Sequence, residues 1–240
     1  MGVIVDAVKR PWLPYISIDC VIFGFKNDRL KVLLLTFKNS KVQCISGGFV
    51  APLEDVDDAA KRILFARTGL KDIFLEQFYT FGDVKRNETA KEEHRKVNLD
   101  MGRSKEHFEW LSDRYITIGY FALVDIEKVK VNPDEISSEA NWVDVDQIPE
   151  LFLDHNLIIK KALERLRWSL DTQLLAFNLL PETFTMAELQ KVYEVIMGKK
   201  LVRTNFQRKI LSMEILDRIE KKFSGGAHKA PYVYKLKAIS

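Results

Sequence analysis

Residues 48–70 read Gly48-Phe-Val-Ala-Pro-Leu-Glu54-Asp-Val-Asp-Asp-Ala-Ala-Lys-Arg62-Ile-Leu-Phe-Ala-Arg-Thr-Gly69-Leu70. Between residues 55 and 67 the apolar positions recur with a period of 3.6, which predicts an amphipathic helix. Asp57 and Asp58 would lie in its first turn, where negative charge complements the helix dipole. Gly69 is typical of a residue that ends a helix. The stretch therefore predicts a glycine-containing loop that leads into a helix.

This stretch resembles the Nudix box, whose pattern is G-x5-E-x7-R-E-U-x-E-E-x-G-U, with U an aliphatic residue. The positions that fall in register are Gly48, Glu54, Arg62, Leu64, Gly69 and Leu70. The resemblance implies the Nudix fold and an ancestor that hydrolysed diphosphates.

The chemistry of the box is missing, because Ile63, Ala66 and Arg67 occupy its three helical glutamate positions. Residues three and four apart share one face of a helix, so three carboxylates there would converge on Mg²⁺, which prefers oxygen ligands. Ile63 and Ala66 supply no oxygen, and Arg67 places a cation where the metal would sit. We therefore predict no metal, no cofactor and no enzymatic activity. Glu54 and Arg62 would remain as a structural ion pair.

Apolar strands surround the box. Residues 15–25 and 30–37 are rich in β-branched and aromatic residues and predict a hairpin, with further strands at 73–81 and 115–124. The order of hairpin, loop, helix and strands predicts an α+β fold, here a Nudix-like α/β/α sandwich. Hydrophobic residues make up 47% of the 240 residues, which supports a substantial core and argues against disorder.

Two connecting segments stand out. Residues 85–113 are polar and long for a connection within a compact domain. They could form a partly helical excursion, a lid over the pocket or a mobile insertion. His94 and His107 of this segment lack metal-ligand spacing and are interpreted as solvated. Residues 157–168 predict an amphipathic helix, capped by Asp154, that joins the two halves of the chain.

Charge is uneven along the chain. Residues 171–240 carry 12 Lys and Arg against 7 Asp and Glu, whereas the whole chain has a net charge of only +3. A basic module at the end of a near-neutral chain suggests a polyanionic partner. The two cysteines, Cys20 and Cys44, lie among apolar residues and are expected to be buried, inert thiols of a reducing cytoplasm. The sequence has no apolar run long enough for a transmembrane span, so no membrane partner is expected.

The basic module has the pattern of a winged helix-turn-helix. Thr185-Met-Ala-Glu188 predicts a capping box that opens a helix over residues 186–197, which Gly198 ends. Thr204-Asn-Phe-Gln207 predicts a second capping box and a second helix to about residue 213. Phe206, Ile210 and Met213 would face the core. Residues 232–237 alternate like a strand after a Gly-rich basic stretch, as in a wing.

A recognition helix presents hydrogen-bond donors to phosphates and base edges in the major groove. The side chains predicted to contact DNA are Lys199, Lys200, Arg203, Thr204, Asn205, Arg208 and Lys209, with His228 and Lys229 from the wing.

Residues 15–240 together resemble the Nudix-related transcriptional regulators of the NrtR type. The most specific match is Phe184-Thr-x-x-Glu188-Leu-Gln-x-Val-Tyr-Glu194-x-Ile-x-Gly198, followed by Asn205-Phe-x-Arg-Lys209-Ile. The resemblance implies a homodimer on a palindromic double-stranded DNA operator. It also implies a small effector in a non-catalytic Nudix pocket, either a pentose sugar or a nucleotide such as ADP-ribose.

We therefore predict a degenerate Nudix-like effector domain over residues 1–154, a connecting helix over 155–170 and a winged helix DNA-binding domain over 171–240. The predicted function is a ligand-responsive, cytoplasmic transcriptional regulator. Two alternatives stay open: an active Nudix pyrophosphohydrolase with an accessory C-terminal domain, and a scaffold whose pocket is vestigial.

Overall fold

The computed structural model describes residues 12–71, 73–86, 91–100, 115–131, 133, 136–170, 172, 174–221 and 231–237, with the backbone alone at 91–94, 98 and 220–221. The strands are β1 Ile16–Lys26, β2 Arg29–Phe37, β3 Gln43–Cys44, β4 Ser46–Phe49, β5 Leu75–Phe81, β6 Ile116–Asp125, β7 Ser137–Asp144, β8 Thr183–Thr185, β9 Leu216–Lys221 and β10 Tyr232–Leu236. The helices are α1 Val56–Thr68, α2 Lys91–Asp100, α3 His155–Ser169, α4 Met186–Met197 and α5 Arg203–Ser212.

The first seven strands form one mixed sheet, in which β1 lies at the centre. β1 pairs antiparallel with β2 and β4 and parallel with β6, and β5 and β7 extend the sheet on either side. Asn27 and Asp28 form the predicted turn between β1 and β2, and both have positive φ angles, 51° and 59°.

Successive side chains of β1 point to opposite faces of the sheet, so they pack into two separate cores. Ile18, Cys20 and Ile22 pack with Ile63 and Leu64 of α1 on one face of the sheet. On the other face, residues of β1 pack against α3, and the contacting set includes Val21, Phe23, Ile158, Ala162 and Leu166. This two-sided covering confirms the predicted α/β/α sandwich.

The C-terminal part has the predicted winged helix architecture. Helix α4 packs against a three-stranded sheet of order β8-β10-β9, and α5 packs against α4. Phe206 and Ile210 of α5 are buried, and Met213 is partly buried, as their spacing predicted. The apolar cluster on the α3 face continues into this module and includes Leu189 and Tyr193, so a single core joins the two halves.

Helix boundaries agree closely with the predictions, but two predicted caps are wrong. Thr185 and Glu188 form a complete capping box at the start of α4. Thr204 does not cap α5, because the helix already begins at Arg203 with Val202 as its N-cap residue. Asp154 precedes α3, but its carboxylate makes no capping bond: its backbone, with φ −98° and ψ 21°, is not extended as in a capping residue, and Oδ2 binds Arg86.

Cys20 and Cys44 are buried thiols, as expected. Burial raises the pKa of the Cys20 thiol, which keeps it protonated and unreactive. Within the described ranges, no helix is both long and apolar enough to cross a membrane. Most of the 85–113 segment lies outside the described residues, including His107 and the side chain of His94.

Candidate functional site

The three helix positions that carry glutamate in the Nudix box pattern differ in their burial here. Ile63 is buried, and a Cβ built on Gly48 would lie 2.9 Å from Cδ1 of Ile63, so a larger residue at position 48 would require this side chain to shift. Arg67 is buried on the same side of α1, whereas Ala66 is exposed. The spacing of the three positions had suggested that they converge on one open site. Their different burial shows that they do not. Among the residues that the structure describes, no cluster of His, Cys, Asp and Glu could hold a metal ion.

Glu54 and Arg62 form the predicted ion pair. Arg62 donates Nε to Glu54 Oε1 at 2.7 Å and Nη2 to Oε2 at 2.8 Å. Nη2 also donates to the carbonyl of Phe49, and Glu54 accepts the N–H of Ala51. The contact with Arg62 lowers the pKa of Glu54. These bonds tie the loop after β4 to α1, which is a structural role for both box remnants. Gly69 has a φ of 68° and ends α1, as predicted.

A buried polar cluster lies on the opposite face of the sheet, where α3 begins. Its centre is Arg86, whose side chain is only 5% exposed. Arg86 donates Nε to Asp154 at 2.5 Å, donates to the hydroxyl of Thr117, and places Nη2 3.4 Å from Asp19. The Thr117 hydroxyl is also hydrogen-bonded to Ser17 at 2.6 Å. One guanidinium thus joins β1, β6 and the residue before α3.

His155 completes this cluster. Its Nδ1 accepts the N–H of Ile45 at 3.2 Å, and its Nε2 lies 3.9 Å from Asp19. Burial lowers the pKa of His155, so the ring is neutral near pH 7. Burial also raises the pKa of Asp19, although the positive charge of Arg86 opposes this shift. Because the shorter carboxylate bond of Arg86 goes to Asp154, we assign the principal ion pair to Arg86 and Asp154.

Sequence reasoning missed this cluster. Asp19 is the one charged residue of segment 15–25, and that was the available signal. Arg86 and Asp154 lie 68 positions apart in the chain, and nothing in the sequence connects them.

An open groove of about 1130 Å³ lies between the loop that joins β2 to β3 and helix α2. Neither the box nor the buried polar cluster contributes to its wall. Its lining residues are Asn39, Ser40, Lys41, Val42, Arg95, Lys96, Val97, Leu99 and Asp100.

Helix α5 presents one polar face to solvent. The exposed set comprises Arg203, Thr204, Asn205, Arg208 and Lys209, and it continues through Lys199 and Lys200 in the preceding turn. Arg208 donates Nη2 to Asn205 at 3.4 Å, and Lys200 is paired with Glu194 at 3.0 Å. Seven of the nine residues predicted to contact DNA are thus exposed on α5 or in the turn before it. The other two, His228 and Lys229, lie outside the described residues.

The turn before α5 is held by Glu194 of α4. Its carboxylate accepts the N–H of Leu201 at 2.9 Å, the amide of Gln190 at 3.0 Å and the ammonium of Lys200. These bonds lower the pKa of Glu194 to about 2, and the bond from Leu201 contributes most. The carboxylate is therefore ionised at neutral pH and fixes the entry to α5. In the wing, Arg218 of β9 lies 4.3 Å from the ring of Tyr232 of β10.

Comparison with known proteins supports the fold assigned to each half of the chain. Residues 14–166 match the NUDIX domain, and residues 176–236 match the NrtR DNA-binding winged helix domain. The chain is similar to the ADPR responsive transcriptional repressor NtrR of Acinetobacter baylyi, with 26% identity over 224 residues, covering 90% of this chain and 80% of that protein.

Two solved structures are similar over nearly the whole chain. The crystal structure of Shewanella oneidensis NrtR complexed with a 27mer DNA superposes with a TM-score of 0.69 at 25% identity, covering 93% of this chain and 94% of that one. A MutT/nudix family protein from Enterococcus faecalis has a TM-score of 0.67 at 20% identity, covering 94% and 87%, and supports the fold alone. With this order of domains, the chain belongs to the Nudix family and, within it, to the NrtR-type regulators that carry a C-terminal winged helix DNA-binding domain.

Proposed function

We propose that this chain is an ADP-ribose-responsive transcriptional repressor. The observation that carries the proposal is the exposed basic face of α5 within a domain that matches the NrtR winged helix. It is supported by the similarity of 90% of the chain to a repressor described as ADPR responsive. This relative favours ADP-ribose over the pentose sugars that the family resemblance also allowed.

On the DNA side, Arg203, Thr204, Asn205, Arg208 and Lys209 would enter the major groove, because a recognition helix places its N-terminal residues at base edges. Lys199 and Lys200 would contact phosphates from the preceding turn, and His228 and Lys229 would contact the backbone from the wing. Phosphate contacts position a protein, whereas base contacts determine its sequence preference.

On the effector side, the Nudix half would bind its ligand without hydrolysing it. Ile63 and Ala66 supply no metal-binding oxygen, and Ile63 fills the space opposite Gly48. Without a bound divalent ion, the pocket has no Lewis acid to polarise a phosphoryl oxygen or activate water. The effector would therefore act as a signal rather than a substrate.

The active species would be a homodimer in the cytoplasm. A palindromic operator has two half-sites related by a two-fold axis, so a symmetric dimer can place one α5 in each. We place the domain boundaries after residues 154 and 170. The effector domain then comes first, and α3 connects it to the winged helix domain.

The test is DNA binding by the purified full chain. Fluorescence anisotropy with DNA from upstream of its own operon should give specific binding, and ADP-ribose should change the affinity whereas arabinose and xylose should not. Absence of specific binding would refute the proposal that the chain is a transcriptional regulator. In parallel, ADP-ribose incubated with Mg²⁺ and the protein should stay intact. Turnover at about 1 s⁻¹ or faster, an ordinary enzymatic rate, would favour the pyrophosphohydrolase.

A further inference from the structure

Helix α3 is bound to a different half of the molecule at each of its ends. Before its first turn, Asp154 accepts Arg86 Nε at 2.5 Å, in the buried cluster that includes β1 and β6. In its last turn, Arg167 donates Nε to the carbonyl of Ile196 in α4 at 2.8 Å. The 13 positions from Asp154 to Arg167 correspond to about 20 Å at 1.5 Å per residue.

The body of α3 can transmit a displacement without bending. Ile158, Ala162 and Leu166 are fully buried against the sheet and the shared core. Close-packed protein interiors resist compression and transmit strain. A shift at the Asp154 end is therefore expected to appear at the Arg167 end.

Arg167 binds the backbone of the last turn of α4. The carbonyls in the last turn of a helix have no partner within the helix, and a cation there also complements the helix dipole. Gly198 ends α4 with a φ of 66°, and a Cβ at this position would lie 3.3 Å from Nη2 of Arg167. The guanidinium thus lies beside the residue at which the chain turns toward α5.

The turn itself passes the position of α4 on to α5. Glu194 of α4 accepts the N–H of Leu201, and the Glu194 carbonyl accepts the N–H of Lys199 at 3.2 Å. Arg203, the first residue of α5, follows two positions after Leu201. A movement of the last turn of α4 must therefore carry the N-terminal end of α5 with it.

We propose that Arg167 is the positioning residue through which α3 sets the placement of the recognition helix α5. The inference rests on the proposed function, since it concerns how an effector in the Nudix half alters DNA binding. A ligand can change DNA affinity only if it binds two arrangements of the molecule unequally. The bond from Arg167 to Ile196 makes the position of α3 one of the features that distinguish those arrangements.

The test compares three variants of the full chain: Arg167→Gln, the conservative Arg167→Lys, and Arg165→Gln as a matched control. Arg165 lies on the same helix, but it pairs with Glu76 of the Nudix half at 2.6 Å. Operator affinity is measured by anisotropy with and without ADP-ribose, and ADP-ribose affinity is measured by calorimetry on the DNA-free protein.

We expect ADP-ribose to change the operator affinity of the unsubstituted chain by about 5- to 150-fold, the usual range of allosteric coupling. The ratio should fall to within about twofold of unity in Arg167→Gln, recover in part in Arg167→Lys, and stay unchanged in Arg165→Gln. ADP-ribose affinity without DNA should be the same in all four proteins. An unchanged ratio in Arg167→Gln, with the unsubstituted chain responding, would overturn the role of Arg167.

If the unsubstituted chain does not respond to ADP-ribose, the proposed function fails, and hydrogen exchange then decides the inference separately. Asp154→Asn loosens the far end of α3. As a single substitution it should speed exchange at the amides of Lys199 and Leu201, and combined with Arg167→Gln it should add nothing to the exchange of the Arg167→Gln variant. The amide of Glu188, held by Thr185 at the other end of α4, serves as the control and should not change. Unaltered exchange at both Lys199 and Leu201 would overturn the inference.

Discussion

The carboxylate of Glu194 accepts the backbone N–H of Leu201 at 2.9 Å, across the turn that joins α4 to α5. An acidic residue beside a DNA-binding surface would repel phosphates if its charge were free. Here the charge is engaged by Leu201, Gln190 and Lys200. The negative charge therefore organises the cationic surface around it.

Replacement of Glu194 by Ala should lower the melting temperature and weaken operator binding, because Leu201 and Gln190 lose their shared acceptor. Glu194→Gln should be milder, since its amide oxygen can still accept the Leu201 N–H. Calorimetry and anisotropy on the same preparations measure both effects. Full operator affinity in Glu194→Ala would show that the turn holds α5 without this carboxylate.

The lowered pKa of Glu194 predicts how the stability of the fold depends on pH. Its pKa is lowered from 4.5 to about 2 by the bonds that it accepts in the folded chain. A group with a depressed folded pKa stabilises the fold above its unfolded pKa and loses that contribution as the pH falls through its folded value. The stability difference between the unsubstituted chain and Glu194→Gln should be constant above about pH 5 and shrink between pH 4.5 and 2. Urea melts across this range measure it, and a difference that grows toward low pH would contradict the assignment.

Arg86 should be the most sensitive polar residue of the Nudix half. Arg86→Gln leaves the carboxylate of Asp154, which is 16% exposed, without its cation, and breaking a buried ion pair in this way costs about 3–5 kcal/mol. Adding Asp154→Asn should recover part of that loss, because it removes the stranded charge. Lys26→Gln is the control: it breaks the exposed pair with Glu127 and should cost less than about 1 kcal/mol. Denaturant unfolding measures all four proteins, and a loss below about 1 kcal/mol in Arg86→Gln would mean that water reaches the cluster.

Local patterns could be predicted from the sequence, whereas the long-range polar contacts could not. The helix of the box, the capping box at Thr185 and the buried side of α5 follow from spacing within about a dozen residues. The Arg86 cluster depends on strand pairing and on where α3 begins, which no local pattern encodes. Thr204 had a correct capping motif but lies inside α5, because the helix starts one residue before it.

The packing of Gly48 against Ile63 can be tested by a double-mutant cycle. Gly48→Ala puts a methyl group 2.9 Å from Cδ1 of Ile63, and overpacking of this kind costs about 1–3 kcal/mol. Ile63→Ala opens a cavity and costs about 2–5 kcal/mol. The double variant should be less destabilised than the sum, since the new methyl group enters the space that Ile63 leaves. Additive losses would show that the two positions do not compete for space.

The final prediction concerns how α5 reads DNA, and it separates two kinds of contact. Arg208 and Lys209 are both exposed on this helix, so either could contact a base edge or a phosphate. A lost base contact should cost about 1–3 kcal/mol and relax the preference at one operator position. A lost phosphate contact should weaken all sequences alike and reduce the slope of log affinity against log salt by about 1.

We expect Arg208→Ala to behave as a lost base contact, because the fork of a guanidinium matches the two acceptors of guanine in the major groove. Lys209→Ala should behave as a lost phosphate contact, since an ammonium is a point charge without that directional match. Lys61→Ala removes one positive charge from α1, on the Nudix half, and should leave both the preference and the salt slope unchanged. Titrations at several salt concentrations, on the operator and on point-substituted operators, distinguish the two behaviours. Normal operator binding by both α5 variants would show that this helix does not enter the groove.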